Sequence, residues 1–197
     1  MMTAQISFFL SACLLVVCSA CHAPNDNLII PGIRVGNCVI HHTKMSEVGP
    51  DGNPHCGKFR ETAGSLGGLE ATSDASGQFI ERLAVFDGRY QTVEGLHLGD
   101  SKQSIVNKLG SGTPVAYVIH KNGKLRNDSS SISYLEAMHY PGITFIFGTK
   151  NGVYGPGAVI EVGTEVELKS RFCLLDQVTG LLLPSTESQC ATGGTPR

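Results

Sequence analysis

Apolar positions fall in one dense block at the start of this chain and in short runs, separated by turn residues, after it. Residues 6–17 are apolar except for Ser7 and Ser11, and they run into Cys18-Ser19-Ala20-Cys21. The block is too short to cross a bilayer as a helix and reads as a secretory signal segment over 1–20. Residues 21–27 are polar and short, the composition of a tether. Over 28–92 the pattern predicts a loop-rich β region. Residues 28–40 place apolar stretches on either side of Pro31-Gly32, whereas 49–54 and 64–68 are strings of breakers. Residues 79–86 have strand composition and stop at Asp87-Gly88, a hairpin dipeptide that predicts a returning strand over 89–93.

The sharpest signal follows. Gly95-Leu96-His97-Leu98-Gly99 leads into Asp100, and the spacing of Ile105, Val106 and Leu109 predicts a helix over 101–109. Asp100 is the expected N-cap, with Gln103 completing a capping box, and Gly110 ends the helix. Strands are expected over 115–120, 132–140, 142–147 and 158–162, with Asn122-Gly123 as a type I′ turn. In the third of them Ile143, Phe145 and Phe147 share one face. A further strand is expected within 166–175. The fold class is therefore α+β: an antiparallel β-meander packed by one or two short helices, preceded by the signal segment and the loop-rich part. The α+β module covers 93–175, and 176–197 form a polar tail.

Composition narrows the picture. Net charge is −2 and charged residues are 16%, so no basic footprint for nucleic acid exists. Seven cysteines lie at 13, 18, 21, 38, 56, 173 and 190. Removal of the signal segment discards two, and an anchor on Cys21 uses a third. Cys38, Cys56, Cys173 and Cys190 remain, an even set suited to an oxidising compartment. Of the three connectivities, near-equal spacing favours Cys38–Cys56 and Cys173–Cys190, each worth about 3 kcal/mol by loop closure. Buried free thiols are the plain alternative. A zinc site is disfavoured, because no Cys-x-x-Cys occurs after residue 21.

Candidate chemistry is sparse. His41-His42 and His55-Cys56 lack a carboxylate at ligand spacing and read as loop histidines. Ser101-Lys102 has no Ser-x-x-Lys partner, and Ser101 reads as a helix-start residue. No nucleophile elbow, zinc-protease helix or phosphate loop occurs. Asp87, Asp100 and Asp128 sit in turn or cap contexts. Asn127-Asp128-Ser129 is a glycosylation sequon on paper. No catalytic residue, cofactor or metal is expected.

Two resemblances add to this reading. Small residues followed by Cys21 resemble a bacterial lipoprotein signal, which implies lipidation of Cys21 and a membrane-anchored protein facing the periplasm, at the outer membrane. Two features depart from that pattern: Cys18 replaces the usual aliphatic residue, and no Lys or Arg precedes Arg34. Plain secretion with cleavage before Cys21 stays open. The run from Gly95 through Leu109-Gly110, followed by Tyr140-Pro141-Gly142-Ile143-Thr144-Phe145-Ile146-Phe147 and Val159-Ile160-Glu161-Val162, resembles the SmpA/OmlA-type lipoprotein domains and the related β-lactamase inhibitory protein fold. That resemblance implies a helix packed on an antiparallel sheet. The absence of a nucleophile–base motif favours a non-enzymatic role: binding another envelope protein, in assembly or as an inhibitor. An exported hydrolase with a site on the Gly-rich loops is the competing class. Gly32-Ile33-Arg34-Val35-Gly36 echoes Gly95–Gly99 and raises the possibility of a duplicated unit.

Overall fold

The computed structural model describes residues 27–47, 68–118, 134–150, 153–179, 181 and 183. Everything expected of the signal segment, Cys21, Cys56, His55, the Asn122-Gly123 turn, Asn127, Asp128 and Cys190 lies outside them.

The described residues form two sheets and two short helices. Strands β1 (Leu28–Ile30), β2 (Arg34–Val35), β3 (Cys38–Val39) and β6 (Gln91–Thr92) make a small sheet in the order β3-β2-β1-β6. The large sheet holds β4 (Leu69–Ser73), β5 (Ile80–Val85), β7 (Thr113–Val118), β8 (Tyr134–Tyr140), β9 (Ile143–Lys150), β10 (Val153–Gly163) and β11 (Phe172–Leu174). Its order is β11-β7-β8-β9-β10-β5-β4, and every neighbouring pair is antiparallel. The α+β class with a β-meander is what the hydrophobic pattern predicts, and β7 to β10 are that meander.

One face of the large sheet carries the main core. Helix α1 (Lys102–Leu109) and the small sheet pack on it, so Phe145, Phe147, Ile160, Leu83 and Val85 meet Ile105, Leu96, Ile29 and Val35. The opposite, outer face holds a smaller cluster of Val115, Ala137 and Ile146, with Tyr117, Leu135, Val159 and Phe172 beside it. Strand β9 is thus buried on both faces: Ile143, Phe145 and Phe147 point inward, Thr144 and Ile146 outward.

Three local expectations are corrected. The N-cap of α1 is Ser101, whose hydroxyl accepts from the Ser104 N–H at 3.1 Å. Asp100 instead accepts from the His97 N–H at 2.9 Å, closing the preceding turn, and Gln103 pairs with Asn107. Residues after Asp87-Gly88 do not return along β5. Asp87 binds both the backbone N–H and the guanidinium of Arg89, which turns the chain toward the other sheet, where β6 runs parallel to β1. The strand expected within 166–175 is only β11. It is preceded by a helix, α2 (Glu165–Lys169), because the Glu167 carboxylate accepts from the Thr164 N–H at 2.9 Å, half of a capping box.

The glycine echo has a structural counterpart. Leu28 pairs with Gln91 and Ile29 with Thr92, the same offset that separates Gly32 from Gly95 and Gly36 from Gly99. All four glycines have positive φ. The likeness stops there: the residues after Gly36 form β3, whereas those after Gly99 enter α1.

Candidate functional site

The densest grouping of buried polar side chains lies on the outer face of the large sheet. Cross-strand pairing places His139 of β8 opposite Thr144 of β9, and Thr144 opposite Glu161 of β10. Directly opposed residues share a sheet face, so register alone lines the three up across the sheet. Arg82 of β5 and Thr72 of β4 sit opposite each other alongside.

These groups are connected. Arg82 Nη1 donates to Glu161 Oε1 at 2.7 Å, and Nη2 donates to Thr72 Oγ1 at 2.7 Å. His139 Nδ1 lies 2.9 Å from Thr144 Oγ1, and its Nε2 lies 3.2 Å from Glu165 Oε2 on α2. Burial is nearly complete: Thr144 is 0% exposed, Glu161 2%, His139 6% and Arg82 8%. Burial raises the Glu161 carboxyl above its ordinary range, while Arg82 pulls it back. The Tyr117 hydroxyl is raised, again chiefly by burial. Arg171, part of whose side chain reaches solvent, is lowered by desolvation and by repulsion from Arg82. Lys169 and then His139 hold the Glu165 carboxyl below its usual value. Glu161 Oε2 and Arg82 Nε have no hydrogen-bond partner.

Glu165, His139 and Thr144 stand in the order of a carboxylate–imidazole–hydroxyl relay, the arrangement that activates a nucleophile in hydrolases. Here the hydroxyl is on a central strand with no exposure, and the Phe172 ring packs against the imidazole at 6.3 Å. No substrate carbonyl can approach Thr144 in this arrangement. The hydrogen bonds of the Arg82–Glu161 pair join β4, β5 and β10, and those of the relay join β8, β9 and α2.

Two surface features are more accessible. A groove of about 350 Å³ runs between the start of α1 and the C-terminal segment, with Lys102 and Glu136 paired across it and Met138, Pro114 and Leu175 on its walls. Beyond β11 the chain turns back on itself: Asp176 N–H donates to Leu181 O, and Leu183 N–H donates to Leu174 O. Asp176 Oδ1 accepts from the N–H groups of Val178 and Thr179 and from the Thr179 hydroxyl, which sets the shape of this turn. Leu174, Val178 and Leu181 project from it at 42%, 93% and 62% exposure.

The residues singled out from sequence are scattered. Cys38 on β3 and Cys173 on β11 are both buried and each is disulfide-bonded; the pairing expected for them reaches Cys56 and Cys190. His41 sits at φ +61° with Nε2 2.7 Å from Glu167 Oε1, and His42 beside it is exposed. Among the described residues no three His, Cys, Asp or Glu side chains stand where they could hold a metal ion. Sequence reasoning missed Arg82, His139, Thr144, Glu161 and Glu165. The available signal was a charge inside an otherwise apolar strand, as in Val159-Ile160-Glu161-Val162. No family model, curated protein or solved structure matches the chain.

Proposed function

We propose that this chain is an exported lipoprotein, anchored through Cys21, that works without catalysis as a protein-binding or assembly module of the bacterial cell envelope. The observation that carries the binding role is the turn after β11. It exposes Leu174, Val178 and Leu181 on a segment fixed by the Asp176 hydrogen bonds and by the β11–β7 pairing. Exposed apolar side chains held in one shape are what a protein partner can bury without a large ordering cost. The sealed Glu165–His139–Thr144 relay offers a hydrolase no accessible nucleophile on this face of the sheet; a site on the Gly-rich loops is the alternative reading.

A photo-cross-linking residue at Val178 of the full chain, in cells that process it, tests this. A discrete envelope-protein adduct is expected from Val178 and none from Lys108 on α1. It should be lost when Leu174 and Leu181 are both changed to Asp. No adduct, or the same adduct from both positions, would remove the binding role. The anchor is tested separately: Cys21→Ala should move the protein from the membrane to the soluble fraction, and intact mass should report the lost lipid.

A further inference from the structure

Helix α2 is too short to hold its shape by itself. Its one buried side chain is Leu168, and Val166 faces solvent at 78% exposure. What fastens it is a pair of contacts at its two acidic residues. Glu165 Oε2 meets His139 Nε2 of the large sheet at 3.2 Å, and Glu167 Oε1 meets His41 Nε2, in the turn after β3 of the small sheet, at 2.7 Å. The two sheets thus each send one histidine to the same five-residue helix. His139 is oriented by Thr144 on its other ring nitrogen. His41 takes positive φ, the only non-glycine residue to do so among the described ones, a conformation that surrounding contacts must sustain.

We propose that α2 is a proton-operated clasp: with His41 and His139 protonated it is fastened to both sheets, together with Arg171 and β11 that follow it, and loss of those protons loosens it. Each contact is an ion pair only when its histidine is charged, and lower pH favours the charged imidazole. Lys169 and His139 hold the Glu165 carboxyl below its usual value. The charged and titratable groups around the clasp are Glu165, Glu167 and Lys169 of α2, Arg171 after it, Glu161 of β10, Glu81 and Arg82 of β5 and Tyr117 of β7, with His42 next to His41. Lys169 competes with protonated His139 for Glu165; among the described residues the ion pair of Glu167 is the one with His41, and its other oxygen accepts from the Thr164 N–H. The clasp is therefore tighter at lower pH than at higher, a difference to be read between about pH 5.5 and about pH 8.

Hydrogen exchange on the full chain at these two pH values, corrected for intrinsic chemistry, tests the clasp at the amides of Leu168, Ser170 and Arg171, which donate within and just after α2. Opening should be roughly three- to tenfold rarer at the lower pH, the range that two modest ion pairs allow. The amides of Ile105 and Gly110 at α1 should not follow. Glu167→Gln can still accept from the Thr164 N–H but cannot form the ion pair, so it should lower the ratio without unfolding α2. His41→Gln should match it, and His41→Gln with His139→Gln should abolish the ratio. Equal protection at both pH values, a ratio that survives in Glu167→Gln and His41→Gln, or the same change at α1 would overturn the clasp. If the double variant does not fold, the two single variants decide.

Discussion

At Gly142 a single methyl group decides whether the two sheets can meet. Its carbonyl accepts from the N–H of Gly32 at 2.7 Å and of Gly163 at 3.2 Å, so the β1–β2 turn, the β8–β9 turn and the end of β10 converge on one atom. A Cβ there would stand 2.3 Å from Gly32 N, and φ is +76°. Gly142→Ala combines backbone strain with overpacking and should cost about 2–5 kcal/mol in a denaturant melt. The Arg82–Glu161 pair makes a second prediction at this scale. Removing only one charge strands the other in the sheet, so Glu161→Ala should cost about 3–5 kcal/mol, whereas Arg82→Met with Glu161→Met should recover much of the loss. Burial sets the sign of the pH dependence. The folded carboxyl of Glu161 binds its proton more tightly than the unfolded one. Its contribution is therefore most favourable below the unfolded value and is lost as pH rises through the folded one. Urea midpoints of the wild type relative to Glu161→Gln should rise as pH falls from about 7 to about 5. A fall would mean that Arg82, and not burial, dominates the carboxyl.

Among the elements, α1 was readable and α2 was not, and the difference lies in what each sequence competes with. Ile105, Val106 and Leu109 form an uninterrupted apolar stripe between two glycines, and nothing else in that stretch suggests a strand. Only the cap slipped by one residue, because Asp100 and Ser101 are both capping types and the nearer turn took Asp100. Ile105→Ala should therefore cost about 2–5 kcal/mol as a buried truncation. Ser101→Ala should cost about 1 kcal/mol as a lost cap. Equal small losses in the two melts would mean that α1 does not close the core. The signal for α2 was present as Thr164-Glu165-Val166-Glu167, a capping-box spelling. It was masked by the β-rich run of Val166 to Leu175 and by the shortness of the helix. The polar row was hidden for another reason. His139, Thr144 and Glu161 become neighbours only through the registers of β8, β9 and β10, and register is a property of pairs of strands.

Scaled to the whole molecule, the seven-stranded sheet is an assembly of distant parts: β4 and β5 join β10 at one edge, and β11 joins β7 at the other. Each sheet has a disulfide-bonded cysteine, Cys38 on β3 and Cys173 on β11, both buried. Strand β3 has two residues and β11 three, too few to hold an edge by backbone pairing alone. Covalent staples at those two strands are then an economical way to keep both ends of the fold closed. The pairings expected from spacing, Cys38–Cys56 and Cys173–Cys190, would each close a short local loop, and each should contribute about 2–4 kcal/mol. Such bonds persist in an oxidising compartment and are lost in a reducing one, so an export reading and these two cross-links stand or fall together. Non-reducing peptide mapping of the exported chain should return these two cross-links, and the same chain kept reduced in the cytosol should melt at distinctly lower denaturant. A cross-link between residues 38 or 56 and residues 173 or 190 would overturn the pairing, since it would tie the small sheet to the far edge of the large one. An unchanged melt on reduction would show that the short edge strands are held by packing instead.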